Sequence, residues 1–391
     1  MRVTGRILPL DSLHCGDHPE QLNDPCQKDS YFEVSANGPT AVAALPSYVD
    51  ATGTWDFELW LPLEGTYKIE ARLLFLNFKD MLTNYASQQA AVKYTRAPPP
   101  GVVVPRLSMK PVIGGERNFT IKLPLGVDAS RGPLCSLQDF EGLLPGYHDK
   151  PSGGWQPYTC SLRRLNETAF SRKWIRLVGD SSSRSVYHQL CFAAKGKTER
   201  TDRSRVMACI GKDFVISAEY YYPESCNLTE LLSRPLSEVV AHAKRTLPPH
   251  FNFTEPTVVF ISLGSHTFQQ TRPGPAPKVL AQIQLAIPKL LMERRVVILL
   301  TSANSAKKFL PKFSHYSPFQ NNPRAAVMNE VTLETFAGKV PILDFFSTTL
   351  AFALVLRSSD ALHFKFPLYD QHARLVAHLT NLISDSSSNK Q

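Results

Sequence analysis

Lys173-Trp174-Ile175-Arg176-Leu177-Val178-Gly179-Asp180-Ser181-Ser182-Ser183-Arg184-Ser185-Val186-Tyr187-His188-Gln189-Leu190-Cys191 is the stretch whose reading decides the fold. An apolar run (Trp174, Ile175, Leu177, Val178) stops at Gly179, and apolar residues then recur at helical spacing (Val186, Leu190), so the stretch reads strand, tight turn, helix. Ser181 falls at the helix start. The first backbone N–H groups of a helix lack internal partners and carry the positive end of its dipole, so a serine held there could attack a carbonyl whose oxyanion meets ready donors. Asp and Ser are also preferred caps, so an ordinary βα turn explains the same three residues.

A serine hydroxyl is a weak nucleophile unless a base takes its proton, and the base works best when a third group orients it. Arg357-Ser358-Ser359-Asp360-Ala361-Leu362-His363-Phe364 offers both, with Asp360 three residues before His363. Asp11 and His14 have the same spacing, so spacing alone selects neither. Position separates them. Asp360 and His363 follow the last apolar segment, Val340 to Leu356, and precede a terminal helix pattern, where the final βα loop of an α/β sheet is expected. Ligands bind such sheets outside the carboxyl ends of the strands, where Ser181 also lies.

Gly179-Asp180-Ser181 with a late Asp360-x-x-His363 resembles the SGNH/GDSL hydrolase superfamily. Val178-Gly179-Asp180-Ser181-x-x-Arg184, Trp155-Gln156-Pro157-Tyr158-Thr159-Cys160-Ser161-Leu162 and Ile261-Ser262-Leu263-Gly264-Ser265-His266 narrow the resemblance to its PC-esterase branch. The last segment is most similar to the neurexophilin and PC-esterase domain family. The resemblance spans roughly Cys135 to the C-terminus. It implies Ser181 as nucleophile, His363 as base and Asp360 as its orienting group, with Gly264 as an oxyanion-hole backbone donor. It places His266 where related enzymes carry an asparagine, to bind the acyl oxygen or the substrate; a hydrogen-bonded structural histidine would fit there too. Arg184 matches the family arginine one turn after the nucleophile, to pin the loop or bind substrate, or simply to be solvated. A second oxyanion glycine has no counterpart between Ser217 and Ser225. Related proteins modify O-acetyl groups of glycans, so the resemblance implies a glycan O-acetyltransferase first and an acetylesterase second. No bound cofactor is expected, only an acetyl donor as co-substrate. A secreted binding module that keeps the α/β scaffold without catalysis is the rival from another class.

The chain has 391 residues, enough to favour two domains, with 43% hydrophobic residues for their cores and 20 Gly and 30 Pro for many turns. Its net charge of +9 is spread rather than clustered, and no nucleic-acid motif accompanies it, so nucleic acid is not an expected partner and the charge reads as a generic solvated surface; a glycan or glycoprotein substrate is what the resemblance implies. Seven cysteines all precede residue 227, none at Cys-x-x-Cys spacing, so no metal is expected. Cys15 with Cys26, Cys135 with Cys160 and Cys209 with Cys226 are plausible pairs. Four acceptor sequons begin at Asn118, Asn166, Asn227 and Asn252. Cysteines and sequons favour the secretory pathway, in the Golgi lumen or outside the cell. The N-terminus has no apolar core of signal-peptide length and no stretch reaches membrane-spanning length, Pro341 to Leu356 being the nearest, so a leader or anchor missing from this chain is expected, with a cytosolic protein as the alternative.

Residues 1–28 read as irregular. Residues 29–126 read as an antiparallel β-sandwich: Trp55/Phe57/Leu59/Leu61 and Tyr67/Ile69/Ala71/Leu73 alternate as strands buried on one face, joined through Pro62, Glu64 and Gly65. The sequence from Gly53 to Tyr67 is similar to the neurexophilin-like, immunoglobulin-type region of the same family. Residues 95–105 form a stiff linker around Pro98-Pro99-Pro100. From 127 to 391 a loop-rich entry leads into alternating strands and helices. The strands are Trp174 onward, Asp213 to Ala218, Thr257 to Leu263, Val296 to Leu300 and Val340 to Leu343. Helices are read at Leu228 to Lys244, Leu280 to Met292, from Asn322-Pro323, and Leu368 to Ile383. This is an α/β fold, a three-layer α/β/α domain with a mainly parallel sheet, SGNH-like by the resemblance. His372 and His378 on the terminal helix read as surface or packing residues, and Gln269 to Pro277 as a loop bordering the site.

Overall fold

The computed structural model describes residues 2–7, 30–49, 53–75, 107–121, 132–149, 154–165, 167–195, 205–221, 228–262, 295–303, 322–355 and 366–388. Among these the chain is a mixed α/β protein with three sheets. The linker at 95–105 and the expected helix over Leu280 to Met292 lie outside the described residues.

Two of the sheets are antiparallel and share one apolar core. The smaller runs β1 (Arg2–Ile7), β5 (Thr54–Trp60), β4 (Ser47–Val49) across its width. The larger has six strands, in the order β7 (Leu107–Ile121), β6 (Gly65–Phe75), β2 (Tyr31–Asn37), β3 (Thr40–Ala44), β8 (Gly146–Asp149), β9 (Gly154–Pro157). Alternation places Phe32, Val34 and Ala36 of β2, Trp55 and Leu59 of β5, and Tyr67, Ile69 and Leu73 of β6 in the shared core. The turn into β6 bends at Gly65, whose φ of 141° suits only a residue without Cβ. Pro111, which has no N–H to give a ladder, sits in edge strand β7 beside a register shift. Two of the six strands, β8 and β9, come from after residue 132 and extend the sheet beyond β3.

The third sheet has the order β11 (Val206–Ile210), β12 (Val215–Tyr220), β10 (Trp174–Gly179), β13 (Val258–Ser262), β14 (Val296–Leu299), β15 (Ile342–Leu343). All neighbours are parallel except β11, which runs antiparallel to β12 at the edge. Its strands are buried on both faces, as helices on two sides require. Ile175 and Leu177 share one cluster with α1 (Ser181–Lys195) and α6 (Phe366–Ser388). Trp174 and Val178 face the other side. There Trp174 meets α3 (Leu236–His242), and Val178 shares a cluster with α2 (Leu228–Ser233) and α4 (Asn322–Phe336).

Four expectations change. Within residues 1–28, read as irregular, Arg2–Ile7 forms strand β1, because its alternating side chains pair it antiparallel with β5. The helix expected over Leu228 to Lys244 breaks into α2 and α3, because Pro235 lacks the N–H and steric room to continue it. The apolar segment Val340 to Leu356 is a two-residue strand followed by α5 (Phe345–Val355), with Asp344 between them. Asp344 Oδ1 accepts from the Ser347 N–H at 2.9 Å and caps that helix. Cys209 pairs with Cys191, not Cys226: α1 packs along β10 and β12, and Cys191 in its C-terminal half reaches Cys209 of the adjoining edge strand β11, with the two Cα atoms 5.8 Å apart. Cys135–Cys160 forms as expected. Cys15, Cys26 and Cys226 lie outside the described residues. No described helix is long and apolar enough to cross a membrane.

Helix α5 joins the two parts. It packs on β2, β3 and β8, where His148 Nε2 donates to the Thr348 carbonyl at 2.5 Å. On its other side Thr348 Oγ1 meets His372 Nε2 at 2.8 Å, and the His372 ring stacks on Phe345 at 3.8 Å. Nearby, Glu33 Oε1 of β2 accepts from Asn322 Nδ2 at 2.6 Å. His372 and His378 are both buried packing residues rather than surface ones; His378 bonds the Arg163 N–H and the Cys135 carbonyl.

Candidate functional site

The carboxyl edge of the parallel sheet gathers the ends of β10, β12 and β13. Strand β10 ends at Gly179, whose carbonyl accepts the Tyr221 N–H at 2.9 Å and so ties the turn to the end of β12. A side chain at 179 would have no room: a Cβ there would stand 2.4 Å from Ser183 Oγ and 3.0 Å from Ser262 Cβ. Glycine thus lets the first turn of α1 settle directly against the end of β13.

Asp180 is the cap of α1. It is 2% exposed, its Oδ1 accepts the Ser182 N–H at 2.9 Å, and its carbonyl accepts the Arg184 N–H at 3.1 Å as the first helical bond. The cap is therefore Asp180 and not Ser181. Asp180 turns inward to hold the helix start, and Ser181 is left partly exposed as its first residue. Ser185 Oγ, one turn on, donates to the Ser181 carbonyl at 3.0 Å.

Beneath the edge lies a buried ion pair. Arg176 Nε of β10 donates to Glu219 Oε1 of β12 at 2.7 Å, both side chains within 1% of full burial. Arg176 also donates to the carbonyls of Leu231, Leu232 and Arg234, where α2 gives way to α3. It thereby satisfies the open end of a short helix and clamps it to the two strands that carry the site. Above, the Arg184 guanidinium stands over the Tyr220 ring, 5.2 Å from its centroid.

Of the site residues read from sequence, Ser181 and Arg184 are described and come together at one strand edge. Gly264 and His266 lie outside the described residues, two and four positions past Ser262, the last residue of β13. Asp360 and His363 also lie outside them, between α5 and α6. Their stretch follows a helix rather than the final strand, since α5 intervenes after β15. Sequence reading missed the Tyr220 contact and the Arg176–Glu219 pair. The run Tyr220-Tyr221-Tyr222 at the end of a strand was the available signal for the first, and an Arg within an apolar strand for the second.

No family model matches the chain. No curated protein matches it either. Among solved structures the chain is similar to a GDSL-like lipase from Bacteroides thetaiotaomicron (12% identity, 56% of this chain and 94% of that one, TM-score 0.33). It is similar to a member of the lipolytic G-D-S-L family from Veillonella parvula (12%, 55% and 96%, TM-score 0.27). It is also similar to the salicylyl-acyltransferase SsfX3 of a tetracycline biosynthetic pathway (10%, 99% and 78%, TM-score 0.27). Likenesses this slight carry no weight for function, which has to be argued from the strand edge itself.

Proposed function

We propose that this chain is an SGNH-type acyl-transfer enzyme of the PC-esterase branch, in the neurexophilin and PC-esterase domain family, with Ser181 as nucleophile. The observation that carries the reading is the position of Ser181. It opens helix α1 at the carboxyl end of internal strand β10, partly exposed, while Asp180 does the capping. In this reading Ser181 Oγ attacks the acyl carbonyl carbon and its proton passes to His363, oriented by Asp360. The tetrahedral oxyanion is held by the N–H groups of Ser181 and Gly264, with His266 beside it. Collapse expels the donor alcohol, which takes the proton from His363. An acceptor hydroxyl then attacks the acyl-serine, its proton going to His363; collapse breaks the bond to Ser181 Oγ, which takes that proton back from His363 as the new ester leaves. With a sugar hydroxyl as acceptor the enzyme is a glycan O-acetyltransferase; with water it is an acetylesterase. The disulfides Cys135–Cys160 and Cys191–Cys209 support an oxidising, secretory compartment for it, and the two-sheet β unit supports an immunoglobulin-type module at the N-terminal side.

The test is mass spectrometry of the intact protein and its peptides after brief exposure to an activated acetyl ester, beside Ser181→Ala. An acetyl adduct on the Ser181 peptide, absent from the variant, is the expected result. Absence of an adduct on folded protein would refute the nucleophile assignment and leave the binding module as the better reading. Faster loss of the adduct to a glycan than to water marks the transferase; equal loss marks the esterase.

A further inference from the structure

Ser181 and Arg184 are three apart in the first turn of α1, so both side chains leave the helix on one face, at the carboxyl edge. The Arg184 guanidinium is held over the ring of Tyr220, the last residue of β12, in register with Gly179. A cation held over an aromatic face is attracted by the ring itself and does not need its N–H donors for that contact. Among the arginines whose side chains are described, Arg164, Arg172, Arg184 and Arg205 make no side-chain hydrogen bond or ion pair to another described residue. Arg164, Arg172 and Arg205 are exposed, where water satisfies them; Arg184 is partly buried. The contrast with Arg176 is informative. That buried arginine meets a carboxylate and three carbonyls. Arg184 is sheltered, permanently charged, held over an aromatic face, and has no acceptor among the described residues, one turn from Ser181.

Its side matters too. Tyr220 belongs to β12, whereas Ser262 and the stretch with Gly264 and His266 leave from β13, the other neighbour of β10. In the reaction proposed above the acyl oxygen lies toward the β13 side, so the substrate meets Arg184 on the opposite, β12 side. The geometry points to Arg184, on its Tyr220 platform, as the residue that binds an anionic group of the substrate, a carboxylate or phosphoryl group carried next to the reacting ester. A planar fork matches either group through two parallel hydrogen bonds, and the positive end of α1 adds to the attraction. The role of this anion in acyl transfer rests on the function proposed above; the anion site itself does not.

The test separates the two. Calorimetric titration of the Ser181→Ala protein, which cannot turn over, uses inorganic phosphate, glucuronate and glucose as probes. At least one anion should bind and glucose should not. Adding Arg184→Gln should weaken the anion roughly tenfold to a hundredfold, and Arg184→Lys, which keeps charge but loses the fork, should fall between. Preference for phosphate places the anion on the acyl donor; preference for glucuronate places it on the acceptor. Equal binding of glucose and anions, no anion binding, or undiminished affinity in Arg184→Gln would each overturn the assignment. Should Arg184→Gln fail to fold in a thermal melt, Arg184→Lys and Tyr220→Leu decide on the same readout. Failure to form the Ser181 adduct would remove the acyl-transfer reading without touching this result.

Discussion

Replacing Gly179 by alanine puts one methyl group where the end of β10 has no space for it. The added Cβ stands 2.4 Å from Ser183 Oγ and 3.0 Å from Ser262 Cβ, and those two residues are only 3% and 5% exposed, so neither can swing out into water. The backbone is not the obstacle, since Gly179 is absent from the positive-φ residues. The cost is therefore contact alone. One methylene forced into a packed interior costs about 1–3 kcal/mol, offset by about 0.4–1 kcal/mol because alanine restricts the unfolded chain. A net loss of about 1–2 kcal/mol is expected in urea unfolding. The site should suffer more than the fold, because relief of the clash displaces the first turn of α1 and with it Ser181. The structure also names the rescue. Ser183 Oγ is buried with no hydrogen-bond partner among the described residues, so Ser183→Ala alone should be neutral or mildly stabilising. In the double variant the 2.4 Å contact disappears and the closest remaining contacts are 3.0 and 3.2 Å. The two changes should then couple favourably by about 1 kcal/mol, with part of the acetyl-adduct rate restored. Wild-type stability in Gly179→Ala, or simple additivity in the double variant, would refute this account of the turn.

Glu219→Gln leaves Arg176 buried without its countercharge and should cost about 3–5 kcal/mol in urea unfolding, whereas replacing both residues with apolar ones of similar volume removes the unpaired charge but also the donors to the Leu231, Leu232 and Arg234 carbonyls, so it should recover only part of that loss. Stability should fall in acid through the two interface histidines. Burial pushes His148 down to about 4 and His372 down to about 3, while the unfolded chain protonates near 6.5, so their contribution is complete above about pH 6.5 and lost as pH falls toward those values; His372→Gln should flatten that limb of a stability-against-pH curve. Glu33 works the other way: burial pushes it up to about 8, so it costs nothing below about pH 4.3 and increasingly more as pH rises toward 8, and Glu33→Gln should raise stability on the alkaline side. Peptide mapping without reduction should recover Cys135 linked to Cys160 and Cys191 linked to Cys209, and a Cys209–Cys226 peptide would contradict the approach of Cys191 on α1 to edge strand β11.

The central strand and its helix were legible because one local signal carried both: an apolar run, a break at Gly179, then apolar residues at helical spacing. The same held for the alternating strands β5 and β6. What was not legible depended on contacts between distant residues or on patterns that fit two structures. Phe345 to Val355 is apolar around its whole circumference, so periodicity could not separate it from the strand before it, and only the cap at Asp344 marks the change. Edge strand β11 is a short run after a charged stretch, with no alternation to announce it. Cys191 and Cys209 sit on a helix and a strand that meet only in the folded chain, so spacing favoured the wrong neighbour for Cys209. Arg184 and Tyr220 are likewise joined only by the pairing of β10 with β12.

The extension of the large antiparallel sheet by β8 and β9 has a consequence for how the chain is made. Strand β3 ends at Ala44, but the strand that completes its outer edge begins at Gly146, and the helix that covers β2 and β3 begins only at Phe345. A ribosome adding ~5–20 residues per second exposes that edge for roughly 5–20 s before β8 emerges, and for longer before α5 arrives. An open strand edge is a template for pairing with other chains. Nascent chains of this protein should therefore need a chaperone over that interval, and truncations ending between Ala44 and Gly146 should aggregate during synthesis.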